Sequence, residues 1–272
     1  GGEPLDRPGV LDLMGYARGL GLRNNVWTGG LPLARGTVAE SLARLAAEGL
    51  VSVHVSTLDR DLYEYMHPGR TADDIDTILF GIEHLIDSGY PAERMLNSTT
   101  LTGLQTAEDA IATIDVFEKR YGILTSLNVY HTYLRPDTPP GELERFIPSA
   151  GSVRAVHRRY ERQWGGPRPM NCVDKRYCSA TVAVLNDGAV TPCATIREGP
   201  GSVRGQGGLV AALECHREEL LLLPLKKGEV RLEQCEKCRM GEECWGCRSR
   251  AYASGAGLYG PDPRCYRQRR VA

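Results

Sequence analysis

Residues 38–59 read VAESLARLAAEGLVSVHVSTLD, and these two turns of chemistry decide the fold. Val38, Leu42 and Leu45 recur at helical spacing and form one apolar stripe. After Gly49 the period changes. VSVHVS at 51–56 alternates and is rich in β-branched residues, the pattern of a strand. A helix feeding a strand through a short turn is the repeating unit of an α/β protein.

The same alternation continues on both sides. Residues 10–20 have helical apolar spacing, with Pro8 near the start and Gly21 past the end. Residues 22–27 suit a strand that stops at Thr28-Gly29-Gly30. Downstream, a helix is expected over 72–88, stopped by Gly89, then a strand over 94–101. A second helix over 106–121 is capped by Thr106 and ended by Gly122. A strand over 124–134 follows. The order predicts a parallel sheet with right-handed crossovers, closed or nearly closed as a barrel, with its site on the loops after the strands. His131, Tyr133 and Arg135, at the end of the last strand, are candidate substrate-facing groups.

Pro136, Pro139 and Pro140 interrupt the pattern, and 152–164 reads as a bridging helix. Beyond it the alternation stops. A hairpin turning at Asn186-Asp187-Gly188 is expected over 181–192, a helix over 209–223, and a loop-rich end. Three parts are expected: 1–149, a linker helix in 150–170, and 171–272.

Composition narrows the function. The chain has 272 residues, 42% hydrophobic and 25% charged, with a formal net charge of −1. That is ordinary globular composition and gives no reason to expect a nucleic-acid partner. No stretch approaches the ~20 apolar residues that span a bilayer, so no membrane is expected. The chain starts Gly-Gly-Glu-Pro without Met or an apolar leader, which reads as the start of a fragment. All nine cysteines lie between Cys172 and Cys265. An odd, clustered count without a leader suggests metal-binding thiolates in a reducing, cytoplasmic setting. The basic residues Arg264, Arg267, Arg269 and Arg270 read most simply as solvated.

The cysteines run Cys172, Cys178, Cys193, then Cys235, Cys238, Cys244, Cys247 and Cys265, with Cys215 apart. A CxxC turn aims two sulfurs at one point. Eight thiolates suit two four-thiolate centres, and soft thiolates select zinc or iron–sulfur clusters; spacing leaves both open.

The pattern Cys178, Gly188, Cys193, then Cys235-x2-Cys238-x5-Cys244-x2-Cys247 and Cys265 resembles the SPASM domain of radical S-adenosylmethionine enzymes. Cys172 matches an upstream ligand found in some members. CWGC has a spacing of two where many members have three. Upstream, Gly1-Gly2-Glu3-Pro4 resembles the family's GGEP motif, and Thr28-Gly29-Gly30 stands where T-N-G is common. Ser56-Thr57-Leu58-Asp59 is similar to the S-x-D that ends the fourth barrel strand, and Arg70 stands where a family Arg follows it.

The resemblance implies a partial radical S-adenosylmethionine (β/α)6 TIM-like barrel, starting at GGEP, followed by a Cys-rich SPASM domain of hairpin, helix and loops. The family's C-x3-C-x2-C loop precedes GGEP, so the catalytic 4Fe–4S cluster is expected upstream, and the chain as given is expected to be inactive alone. The implied cofactors are S-adenosyl-L-methionine and two auxiliary 4Fe–4S clusters, one on Cys172, Cys178, Cys193 and Cys247, the other on Cys235, Cys238, Cys244 and Cys265. Gly1, Gly2, Glu3 and Pro4 would receive the methionyl amino group. Arg70 would pair the carboxylate, with Ser56 on the carboxylate or ribose and Asn97 on the ribose. The implied reaction is a 5′-deoxyadenosyl-radical oxidation of a peptide or protein (maturase type), with the auxiliary clusters serving electron transfer and an external electron donor as partner. The alternatives are a small-molecule substrate such as an aminoglycoside sugar, or a non-catalytic two-cluster electron-transfer or interaction module. Ala194 stands where sulfatase-activating members carry Asp, which argues against formylglycine formation. Cys215 is left over, expected as a partly buried helix residue.

Overall fold

The computed structural model describes residues 2–130, 142–170 and 174–267. Gly1, Cys172, His131, Tyr133, Arg135, Arg269 and Arg270 lie outside the described residues. The chain forms two compact units, Gly1–Asn128 with Gly151–Gly166, and Val129–Ala150 with Pro167–Ala272.

The first unit is an α/β layer. Its strands β1 (Val26–Thr28), β2 (Val51–Val53), β3 (Met95–Leu101) and β4 (Leu124–Val129) form one sheet in that order. β1 pairs with β2, and β2 with β3, in parallel. The connections carry α1 (Val10–Gly19) before β1, α2 (Val38–Leu45) between β1 and β2, α3 (Arg60–Met66) and α4 (Asp73–Asp87) before β3, and α5 (Ala107–Tyr121) before β4. Helix α3 was not expected. Asp59 caps it by accepting a hydrogen bond from Leu62 N at 2.8 Å, a signal present in STLD but read there only as part of a motif. The four described strands form one continuous sheet, in keeping with the partial barrel expected; full closure requires more strands around the axis.

Register sorts the sheet into two faces. Val26, Val51 and Met95 pair in one row and bury themselves among Leu42, Ile78, Ile82, Leu85 and Phe117. Trp27, Ser52 and Leu96 pair in the next row and look the other way. Along that second face follow His54, Ser98 and Thr100. The helices therefore cover an apolar face; on the other, more polar face Ser52 and Ser98 are buried while Trp27 and His54 are exposed. Gly30 fixes a tight approach: its φ is +92°, and a Cβ there would stand 2.7 Å from Ile78 Cγ2.

The helix expected as a linker, α6 (Ala150–Gln163), packs mostly into this first unit. Gln163 donates to Thr125 O at 2.9 Å and Trp164 to the same oxygen at 2.8 Å. Arg159 reaches Asp115 at 2.6 Å and also bonds Glu118.

The second unit is smaller in its elements. α7 (Lys175–Cys178) is capped by Asp174. The expected hairpin is present as β5 (Ala183–Val184) and β6 (Ala189–Thr191), and β7 (Gly201–Ser202) adds a third antiparallel strand. α8 (Gly208–Leu220) bends at His216, whose φ of −123° is not helical. Cys215 on α8 is exposed, contrary to its expected partial burial. Among the described residues no helix is long and apolar enough to cross a membrane.

Candidate functional site

Two places gather the residues singled out by the sequence. In the first unit, Glu3 ties the start of the chain to the turn after β1. Its carboxylate accepts from Leu5 N at 3.0 Å and from Gly29 N at 2.6 Å. Gly2 has a φ of +109°, open only to glycine without strain. Pro4 begins the short turn that Glu3 caps. The GGEP and TGG segments, distant in sequence, are thus brought together.

Ser56 and Asn97 are placed differently from a free ligand-binding role. Ser56 is 2% exposed, and its Oγ accepts from Thr100 N at 3.0 Å. Asn97 is fully buried. Its Oδ1 accepts from Val55 N at 3.2 Å and its Nδ2 donates to Thr99 Oγ1 at 2.9 Å. Both side chains stitch the end of β2 to β3. Arg70 is exposed and, among the described residues, makes no ion pair. It lies within electrostatic reach of Tyr63, whose ring stacks on His67 at 4.4 Å.

In the second unit no disulfide forms among the described cysteines. Burial pushes the Cys235 thiol up to about 12, and the charges of Cys244, Cys265 and Cys238 add to that push. Cys238, Cys244 and Cys265 therefore lie within electrostatic reach of Cys235. Cys247 is likewise raised, by burial first, with Cys193 among the contributors. Cys244 Sγ accepts backbone hydrogen bonds from Gly246 N at 3.2 Å and Met170 N at 3.4 Å, donors that suit a thiolate. Cys193 Sγ lies 3.2 Å from Thr195 Oγ1. Among the described residues, no three His, Cys, Asp or Glu side chains group tightly enough to hold a single metal ion.

Three charged residues here escaped the sequence reading. Arg250 and Asp262 are 3% and 0% exposed and form a bidentate pair at 2.9 and 2.7 Å. Asp262 also accepts from Cys247 N at 2.8 Å, so the pair fixes the CWGC turn. Burial alone would raise the Asp262 carboxyl, but Arg250 and the Cys247 and Arg264 N–H groups outweigh it and hold it low. Arg248 is 3% exposed, with Nη1 on the carbonyls of Leu258 and Gly260. Its Nε is buried without a hydrogen-bond partner, while Cys247, Cys235 and Cys178 lie within its electrostatic reach. An orphaned donor beside thiols fits a site for an anionic, sulfide-bearing group. The signal was available as RSR directly after CWGC. Arg267 also departs from expectation: it donates to Arg168 O at 2.6 Å instead of standing in solvent. Gly246 is required, since a Cβ at its φ of +67° would stand 2.8 Å from Asp262 Cβ.

The fold is that of radical S-adenosylmethionine enzymes with a SPASM domain. The anSMEcpe structure with bound AdoMet and the Cp18Cys peptide matches with a TM-score of 0.67 at 14% identity, covering 98% of this chain and 79% of that one. The same protein with AdoMet alone gives 0.63 at 13% identity, covering 95% and 75%. The AdoMet-dependent heme synthase of Methanosarcina barkeri (strain Fusaro / DSM 804) is 24% identical over 301 residues, spanning 97% of this chain and 80% of that protein. No protein-family model matches. In sequence the chain is similar to an AdoMet-dependent heme synthase, and in fold to an AdoMet-binding enzyme.

Proposed function

We propose that this chain is the barrel and cluster-bearing part of a radical S-adenosylmethionine oxidoreductase that modifies a peptide or protein. The reading is supported by the fold together with the order and spacing of Cys235, Cys238, Cys244 and Cys265, the last three within electrostatic reach of Cys235. Those four would hold one 4Fe–4S cluster; Cys172, Cys178, Cys193 and Cys247 would hold the other. When bound, S-adenosylmethionine and the clusters supply the radical and electron-transfer chemistry.

The chain's own residues do the rest. Gly1, Gly2 and Pro4, with Glu3 pinning them to Gly29, would offer backbone acceptors to the methionyl amino group. Arg70 would supply a guanidinium to the carboxylate. Ser56 and Asn97 would hold the strand ends that frame the ribose. Arg248 would donate its free Nε toward the thiolate-bound group, and the Arg250–Asp262 pair would keep CWGC in register. An external electron donor is the expected partner.

The test is anaerobic reconstitution. About eight iron and eight sulfide should bind. Cys238→Ala and Cys265→Ala should each remove one cluster, and the same one. Depletion of different clusters would refute the assignment. A second reading has its own observation: the Methanosarcina barkeri relative is a heme synthase, so a small molecule of that class is the alternative substrate. Micromolar porphyrin binding, seen as a shifted visible absorption band, would favour it over a peptide.

A further inference from the structure

His54 follows β2 on the sheet face opposite the apolar cluster, and the residue is exposed. Its backbone N–H continues the ladder by donating to Thr28 O at 2.8 Å. Its Nε2 lies 3.2 Å from Thr100 Oγ1 and 3.4 Å from Ser56 Oγ. Although the residue is exposed to solvent, desolvation by the protein around it, and then the charge of His67, hold its proton affinity below the ordinary imidazole value.

The hydroxyl of Ser56 points to one tautomer. Ser56 is buried, and its Oγ already accepts from Thr100 N. A buried hydroxyl also needs an acceptor for its proton. Among the described residues, the group within reach that can accept is His54 Nε2. A neutral imidazole that accepts at Nε2 carries its proton on Nδ1. Among the described residues Nδ1 has no hydrogen-bond partner. The expected arrangement is therefore reversed: the hydroxyl that the motif offers is tucked between strands, and the imidazole beside it takes the exposed place.

We propose that His54 is a ligand-binding residue, locked by Ser56 and Thr100 as an Nδ1–H donor for a proton-free ligand oxygen, a carbonyl or carboxylate. Ser56 is then a positioning residue. The same face adds Trp27, which is 53% exposed. That a ligand occupies this face rests on the cofactor reading above; the tautomer does not.

Long-range proton–nitrogen correlation on the histidine-labelled 272-residue chain tests this, with His54→Gln assigning the signal. The expected pattern is neutral and Nδ1-protonated, and an Nε2–H pattern overturns the proposal. Ser56→Ala should shift the tautomer balance; an unchanged pattern removes its positioning role, and if that variant fails to fold the wild-type pattern still decides. Three probes then locate the oxygen. S-adenosylhomocysteine carries a carboxylate, 5′-methylthioadenosine lacks it, and N-acetylglycine methylamide offers only carbonyls. A shift of Nδ1 by the first but not the second assigns the cofactor's carboxylate. A shift by the third assigns a substrate carbonyl. The effective probe should bind His54→Leu about two- to tenfold more weakly. No shift from any of the three overturns the proposal. Failure of the cofactor reading would appear separately, as absence of iron and sulfide on a chain whose tautomer result stands.

Discussion

Helix α5 of the sheet unit buries Ala110, Ile114 and Phe117 completely, whereas the comparably long α8 of the cysteine unit buries only Ala212 and Leu220. The contrast runs through both units. Eighteen buried residues, from Met14 to Ile123, form one apolar cluster in the first. In the second, Val190, Ala212 and Leu220 form one small cluster and Leu222, Leu225 and Leu232 another. Small clusters of this kind seldom stabilise a fold unaided. The cysteine unit instead buries ionic and thiol groups: Arg248, Arg250, Asp262, Cys244 and Cys247. One unit is held by apolar burial, the other by groups that are costly to bury unless something pairs them.

The largest test of that contrast is to remove iron from the reconstituted chain with a chelator. Metal binding contributes folding free energy where a preformed core is lacking. Amide exchange should then lose protection across 174–267 while β3, Met95–Leu101, keeps it. Equal loss in both units would erase the distinction.

Next comes the buried pair. Asp262→Ala removes the carboxylate partner of the buried Arg250 guanidinium, which costs about 3–5 kcal/mol. It also removes the acceptor that Asp262 offers to the Cys247 N–H. Denaturant unfolding should show the loss in the second unit only, accompanied by lower iron content. An unaffected iron content would mean that CWGC holds its shape without the pair.

Phe117→Ala is the counterpart in the first unit. Phe117 is fully buried in the apolar cluster, so truncation should cost about 3–5 kcal/mol as lost burial plus cavity. Iron content should stay unchanged. A drop in iron would show that the two units do not respond independently.

The sheet unit was the more legible because its signals are local. The periods of 38–45 and 51–56, the Thr106 cap and the Gly122 stop can each be read within a few residues. Sheet closure could not be read the same way, because it depends on strand number and not on any one strand's pattern. In the cysteine unit, order and spacing marked the thiols but not the shell around them. Arg250 and Asp262 are far from each other's sequence context, and each reads alone as a surface charge; only the fold joins them at 2.7 Å. Ser56 shows the opposite failure. Its motif pointed to a ligand-facing hydroxyl, but that hydroxyl lies between Thr100 N and His54, and the exposed group is His54.

The smallest expected effect concerns the start of α5. Thr106 Oγ1 accepts from Asp109 N at 3.1 Å, and Asp109 Oδ2 accepts from Thr106 N at 3.1 Å, a reciprocal capping box. The box is exposed, so water competes for each bond, and Thr106→Ala should cost about 1 kcal/mol. Asp109→Ala removes the other half of the same box. Because each side chain satisfies an N–H of the other residue, the double variant should lose less than the two single losses added together. Urea titration of the sheet unit's transition measures all three. Additive losses would mean that the two halves act separately. A loss well above 1 kcal/mol would mean that α5 depends on local capping more than on Phe117 and its apolar neighbours, which would blur the line between a unit held by burial and a unit held by polar contacts.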